Sequence, residues 1–128
     1  MTTKIQSFVD LLAWREAHKL TLTIYRATKN FPSDENFGLT NQMRRAAVSV
    51  ASNLAEGFSR QSKKEKKQFY SIGKSSLTEL QNQLIIARDL NYLNNPDFQK
   101  IFKISVQCSK LTSGLIKSVA NRPLNTAY

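Results

Sequence analysis

The fold is decided by the stretch from residue 39 to residue 60, LTNQMRRAAVSVASNLAEGFSR. Apolar side chains recur in it every three or four residues, the spacing that places them on one face of an α-helix. The stretch has no proline and one glycine, Gly57, which either ends the helix or lets a neighbouring helix approach the backbone. It therefore predicts a long helix over about 37–60. The residues of its core stripe are Leu39, Met43, Ala46, Val50 and Leu54.

Three further segments show the same periodicity, and two of them have clear boundary signals. The first helix is predicted over about 10–30, and it ends at Phe31-Pro32 because the residue before a proline is disfavoured in the α region. The third, over about 63–91, begins with a capping box, SKKE at residues 62–65. The residues expected to be buried along the third helix are Phe69, Ile72, Ser76, Leu80, Leu84 and Ala87.

The fourth helix is predicted over about 96–121, with Asn95 as the N-cap and Pro96 in the first helical position. A short tail, 122–128, is expected to fray. Short connections between long helices favour antiparallel neighbours. The sequence thus predicts an all-α protein, an up-down-up-down antiparallel four-helix bundle that forms one domain over residues 1–128.

Few residues in the chain are suited to catalysis or to metal binding. It has one histidine, His18, and one cysteine, Cys108, whereas a structural zinc site needs four such ligands. No glycine-rich phosphate loop follows a strand, because no strand is predicted. We expect a non-enzymatic protein with no catalytic residue, no metal and no cofactor, in which Cys108 is a small buried apolar group.

The sequence also bears on the compartment. The first residues lack the continuous apolar stretch and the cleavage site of a signal peptide. No run approaches the roughly 18 apolar residues that span a membrane. We expect a cytoplasmic protein without a membrane partner.

Charge is the unusual property of the composition. The chain has 19 Lys+Arg against 9 Asp+Glu, a formal net charge of +10 and a pI near 10.0. Such a field attracts polyanions, above all nucleic acids. Lysines crowd the first turns of the third helix, where the helix dipole disfavours cations, so helix stability does not explain them. On the fourth helix, Lys103, Lys110 and Lys117 recur every seven residues opposite the apolar face.

Several of the third-helix residues share one side of the helix. Lys63, Lys67, Tyr70 and Lys74 fall within about 60° of one another, and the tyrosine could bond to or stack on a nucleotide. The alternative is an ordinary solvated helix face. The predicted nucleic-acid-binding residues, with RNA the favoured ligand, are Arg60, Lys63, Lys64, Lys66, Lys67, Tyr70, Lys74 and Arg88.

Two other stripes have a predicted role. A polar stripe on the second helix, together with a glutamate of the third, is expected to form a partly buried network that fixes helix register, with RNA or subunit contact as the alternative. A second apolar stripe on the first helix lies roughly 120° from its core face and predicts a second contact, with either a neighbouring helix or another subunit; a subunit interface is the hypothesis. The network residues are Arg45, Ser49, Asn53, Glu56 and Glu79. The interface residues are Leu11, Trp14, His18 and Tyr25.

The run NQMRRAAVSVASNLAEGFSR at residues 41–60 resembles the central signature of a bacterial four-helix-bundle family encoded by intervening sequences in 23S ribosomal RNA genes. LLAWREAH at 11–18 and SSLTEL at 75–80 also fit, and the resemblance covers about 8–120. It implies a cyclic homopentamer, and relatedness to accessory variability proteins of diversity-generating retroelements, which partner a reverse transcriptase and RNA. It implies no catalytic residue. The signature positions are Arg45, Ser49, Asn53, Glu56, Gly57, Arg60 and Glu79.

Three functions are compatible with these observations. The leading hypothesis is a homo-oligomeric protein that binds RNA or another nucleic acid through a lysine-rich face. The second is a protein-interaction scaffold or accessory subunit of a reverse transcriptase. The third is a selfish or structural passenger with no selected ligand.

Overall fold

Four helices make up most of the computed structural model, which describes residues 4–121. Two short 3₁₀ turns, Phe8–Asp10 and Ser33–Glu35, precede the first and second of them. The predicted tail at 122–128 lies outside the described residues. The helices are α1 (Leu12–Thr28), α2 (Leu39–Ser59), α3 (Lys63–Asp89) and α4 (Asn95–Asn121).

Each helix packs against the next one in the chain, and α1 packs against α4, which closes the bundle. Side-chain hydrogen bonds join neighbouring helices. The Thr21 hydroxyl of α1 donates to the carbonyl of Ala47 in α2 (3.1 Å). At the closing pair, the Cys108 thiol of α4 donates to the carbonyl of Ala13 in α1 (3.8 Å). The predicted all-α four-helix bundle is confirmed. Side chains wholly buried between the helices include Leu20, Ile24, Met43, Val50, Leu54, Leu80, Leu84 and Cys108.

The helix starts follow local capping. The Ser62 hydroxyl accepts from the backbone N–H of Glu65 (3.1 Å), as predicted for α3. For α4 the predicted cap is wrong by one residue, because Asn94 Oδ1 accepts from the N–H of Asp97 (2.8 Å) and the helix begins at Asn95. A cap must reach the third N–H of its helix, and Asn94 is the residue placed to do so.

The predicted buried face of α3 is right from Leu80 onward and wrong before it. Ile72, expected in the core, is 44% exposed, and Phe69 is only half-buried. The first half of the helix instead turns Tyr70, Gly73 and Leu77 inward. The buried face of this half of α3 is thus displaced by about one residue from the predicted face, and this displacement decides which lysines of α3 are exposed to solvent.

Candidate nucleic-acid interface

Four of the predicted lysines lie along the first half of α3, and three of them are exposed. Lys64, Lys67 and Lys74 are exposed and Lys63 is half-buried. None of the ion pairs found between residues 4 and 121 involves these side chains. We call this surface the α3 lysine face, and its members are Lys63, Lys64, Lys67 and Lys74.

Lys66, also predicted to contact nucleic acid, is buried instead, with 4% of its surface exposed. Its ammonium donates to the carbonyl of Phe58 (2.7 Å) and, more weakly, to that of Gly57 (3.4 Å). Both carbonyls belong to the last turn of α2, where carbonyls lack an i+4 partner within the helix. The Gly57 carbonyl also accepts from the N–H of Arg60 (3.2 Å), so the Phe58 carbonyl is the one that depends on Lys66. Burial lowers the pKa of Lys66. Lys66 therefore caps α2 and does not reach a ligand.

Tyr70 is wholly buried, so the prediction that it stacks on or bonds to nucleic acid is wrong. Its ring occupies the space that a side chain at position 57 would fill, since a Cβ added to Gly57 would lie 2.5 Å from Tyr70 Cε1. Gly57 thus lets a neighbour approach the backbone, and α2 continues to Ser59. The α3 lysine face has no interleaved aromatic ring.

The two predicted arginines are held by neighbouring groups. Arg60 Nη2 lies 3.0 Å from Glu56 Oε2, and its guanidinium lies 4.5 Å from the centroid of the Phe69 ring. Arg88 Nε lies 2.9 Å from Asp89 Oδ1, with its guanidinium 4.6 Å from the Phe98 ring. Among residues 4–121, their charges are therefore partly balanced by neighbouring groups, unlike those of the lysines of the α3 lysine face.

The predicted polar network is present in part, between α2 and α3. The hydroxyls of Ser49 and Ser76 lie 2.8 Å apart, and Asn53 Nδ2 donates to the Ser49 carbonyl (2.8 Å). Arg45 and Glu79 line the groove beside them, yet no ion pair within 4.0 Å joins the two in the part of the chain described. Arg45, Glu56 and Glu79 are exposed, so only the serines and Asn53 form the half-buried part.

The apolar stripe of α1 is less exposed than predicted. Leu11 is 3% exposed and belongs to the core, so it is not an interface residue in this bundle. Trp14 is half-buried against Phe8 and stacks on His18, with 4.8 Å between ring centroids. Exposed apolar neighbours that the sequence reasoning missed are Leu22 on α1 and Val48 on α2. The exposed part, which we call the α1–α2 strip, is His18, Leu22, Tyr25 and Val48.

A second set of lysines was not assigned from the sequence. Lys100, Lys103, Lys110 and Lys117 are all exposed along α4, and Asp97 is the one acidic residue of that helix. The seven-residue recurrence was visible in the sequence, but whether neighbouring helices leave this face open depends on the fold. We call this set the α4 lysine stripe.

Residues 4–121 contain no cluster of three or more potential metal-binding side chains. No helix within the same range is long and apolar enough to cross a membrane. Cys108 is buried, as predicted, and burial raises the pKa of its thiol to about 12. The thiol is therefore protonated at neutral pH.

Comparison with known proteins gives a family and a fold. The model of the 23S rRNA-intervening sequence protein family matches residues 9–114. A protein of unknown function from the S23 ribosomal protein family of Bacteroides thetaiotaomicron VPI-5482, solved at 1.70 Å resolution, superposes with a TM-score of 0.77. It is 18% identical, and the match covers 84% of this chain and 96% of that one, a likeness that shows the fold alone. No curated protein matches the chain.

Proposed function

This chain belongs to the 23S rRNA-intervening sequence protein family, and from that premise we propose that it is a non-enzymatic, cytoplasmic, homo-oligomeric protein that binds RNA through the α3 lysine face. One observation carries the proposal. Four lysines lie along the first half of α3 without a carboxylate partner in the described ion pairs. Helix stability does not account for Lys63 and Lys64 in the first turn, because the positive end of the helix dipole repels cations.

The electrostatics of this face suit a phosphate backbone. The amino-terminal end of α3 adds about half a positive charge to that of the lysine side chains. Ammonium groups neutralise phosphates and displace counterions, a form of binding that does not depend on base sequence. With Tyr70 inside the core, the face offers no ring on which a base could stack. The expected binding is therefore non-specific and sensitive to salt.

Assembly would strengthen binding at this face. The α1–α2 strip exposes apolar side chains, among them Leu22 and Tyr25 at 40% each. Burying such a strip between subunits would present several lysine faces on one particle, and linked weak sites gain avidity without new contacts. We propose a homopentamer, the assembly that the family resemblance implies.

The test replaces Lys63, Lys67 and Lys74 with Glu and measures RNA affinity as salt is varied. We expect binding at least about a hundredfold weaker near 100 mM salt, and a log–log salt slope shallower by about 2 to 3, because three phosphate contacts are lost. Circular dichroism should show unchanged helix content.

The matched control replaces Lys4, Arg26 and Lys29, which are exposed elsewhere, with Glu. It changes net charge equally, so any weakening it causes measures the global field alone. Equal loss in both triple variants, wild-type binding that does not respond to salt, or no binding at low salt would overturn the proposal.

The α1–α2 strip also supports a second candidate function, a scaffold that docks another protein such as a reverse transcriptase. Tyr25 is covered on one side by the Arg44 guanidinium, 4.8 Å from its ring centroid, which leaves a mixed apolar and cationic surface. Light scattering separates the two uses of the strip. A monomer would leave it free for a partner protein, whereas a stable oligomer would place it between subunits.

A further inference from the structure

Three lysines of the α4 lysine stripe lie on the face of the helix opposite the buried residues, and Lys100 lies about 60° from Lys103 around the helix. Lys103, Lys110 and Lys117 are spaced by seven residues, and a straight helix keeps such positions on one side. From Lys100 to Lys117 the stripe is about 26 Å long at about 1.5 Å per residue. It is a rigid row of positive charge on one secondary-structure element.

Beside the stripe runs a groove between α3 and α4 whose walls carry both apolar and polar groups. It is lined by Gln81 of α3 and by Val106, Ser109, Ser113 and Gly114 of α4, together with Lys110 and Lys117. The Gln81 amide is held in place, since Nε2 donates to the Ser105 hydroxyl (3.1 Å). Hydroxyl and amide groups therefore lie directly next to the lysines.

The α3 lysine face leads into this groove. Lys74 is seven residues before Gln81 and on the same side of α3. Lysines thus approach the groove from one helix and border it on the other.

We propose that the α4 lysine stripe and this groove bind double-helical RNA, with the lysines on phosphates and the serine and glutamine side chains on ribose 2′-hydroxyls. The inference rests on the proposed nucleic-acid function for its ligand class, and it adds the surface and the form of the ligand. Bases are not read, because neither the stripe nor the groove lining contains an arginine or an aromatic residue.

The chemistry favours a duplex over a single strand. Single-strand binding depends on rings that stack on exposed bases. A duplex presents closely spaced phosphates in fixed rows, so a rigid row of lysines can neutralise several of them without ordering a flexible chain. The wide, shallow minor groove of an RNA helix also displays 2′-hydroxyls, which act as both donors and acceptors and which DNA lacks.

Gly114 provides a clean test, because it lies between Lys110 and Lys117 and a Cβ added there meets nothing within 4 Å. The Gly114→Glu variant places a carboxylate inside the stripe, and Gly114→Gln is its neutral match. By fluorescence anisotropy near 100 mM salt, we expect Gly114→Glu to bind a 20-base-pair RNA duplex about tenfold more weakly than Gly114→Gln.

Two further arms test the form of the ligand. Wild type should bind the RNA duplex more tightly than its separate strands and more tightly than a DNA duplex of the same sequence. The Ser109→Ala/Ser113→Ala variant should lose part of the preference for RNA over DNA. Equal binding of single strands or of the DNA duplex would overturn the inference.

The outcomes also separate this inference from the proposed function. If Gly114→Glu and Gly114→Gln bind alike while the triple variant of the α3 lysine face loses RNA, the proposed function stands and this inference falls. If wild type binds no RNA at low salt, both fall.

Discussion

The start of α3 and the outer face of α4 differ in what the neighbouring helices place beside them. Both carry lysines at helical spacing. At the start of α3 the neighbouring helix is so close that Lys66 and Tyr70 are buried against Gly57. On α4 a Cβ added to Gly114 would meet no other part of the described chain within 4 Å, and the lysines around it are exposed. A lysine in this bundle is structural or available to a ligand according to what the adjacent helix places beside it.

The largest expected difference comes from adding a methyl group at Gly57. In Gly57→Ala the new Cβ would overlap the Tyr70 ring, at 2.5 Å from Cε1, so the ring or the helix must shift. We expect the free energy of unfolding to fall by about 2–3 kcal/mol, as for an overpacked core. Urea denaturation followed by circular dichroism measures it. Wild-type stability in Gly57→Ala would show that this contact is looser than described.

The next effect separates the buried lysine from an exposed one. Lys66→Met keeps the length of the side chain but removes the donor to the Phe58 and Gly57 carbonyls. We expect a loss of about 1–3 kcal/mol, the cost of leaving the Phe58 carbonyl unsatisfied. The Gly57 carbonyl keeps its hydrogen bond from the N–H of Arg60. In the same urea measurement Lys67→Met should change stability by less than about 0.5 kcal/mol, as surface substitutions do. Equal effects would contradict a capping role for Lys66.

The smallest effect has the opposite sign. Gly114 lies inside a helix and in open space, so Gly114→Ala removes backbone freedom from the unfolded chain without a clash. We expect stabilisation by about 0.5–1 kcal/mol, measured as a higher urea midpoint. A destabilised Gly114→Ala variant would mean that the outer face of α4 is covered by something that the single chain does not show.

The fold could be predicted from the sequence because the periodicity, the caps and the helix breaks all indicate the same four helices. The core stripe of α2, the Ser62 cap and the break at Phe31-Pro32 all depend on neighbours within a few positions. The predicted cap, Asn95, was wrong by one position because two asparagines precede Pro96. Asparagine is a favoured N-cap residue, so the sequence alone does not distinguish the two. Periodicity thus located the helices better than their exact first residues.

The site was harder to predict, because two stripes on α3 compete over its first half. Phe69 and Ile72 are more apolar than Tyr70 and Gly73, so hydrophobicity favours the wrong stripe. What selects the other is the missing side chain at Gly57, which leaves room for the Tyr70 ring only after α2 and α3 have packed. The same packing took Lys66 and Tyr70 from the predicted surface and left Lys64, Lys67 and Lys74 on it.

The capping bond of Lys66 also has a consequence for the order in which the chain folds. Lys66 and Gly57 are 9 residues apart, whereas Cys108 and Ala13, which meet between α4 and α1, are 95 residues apart. By the logarithmic dependence of loop-closure entropy on length, joining the distant pair costs about 2 kcal/mol more. The contact between the end of α2 and the start of α3 can therefore form while the rest of the chain is still unfolded. α1 and α4 then pack onto this helix pair and complete the bundle.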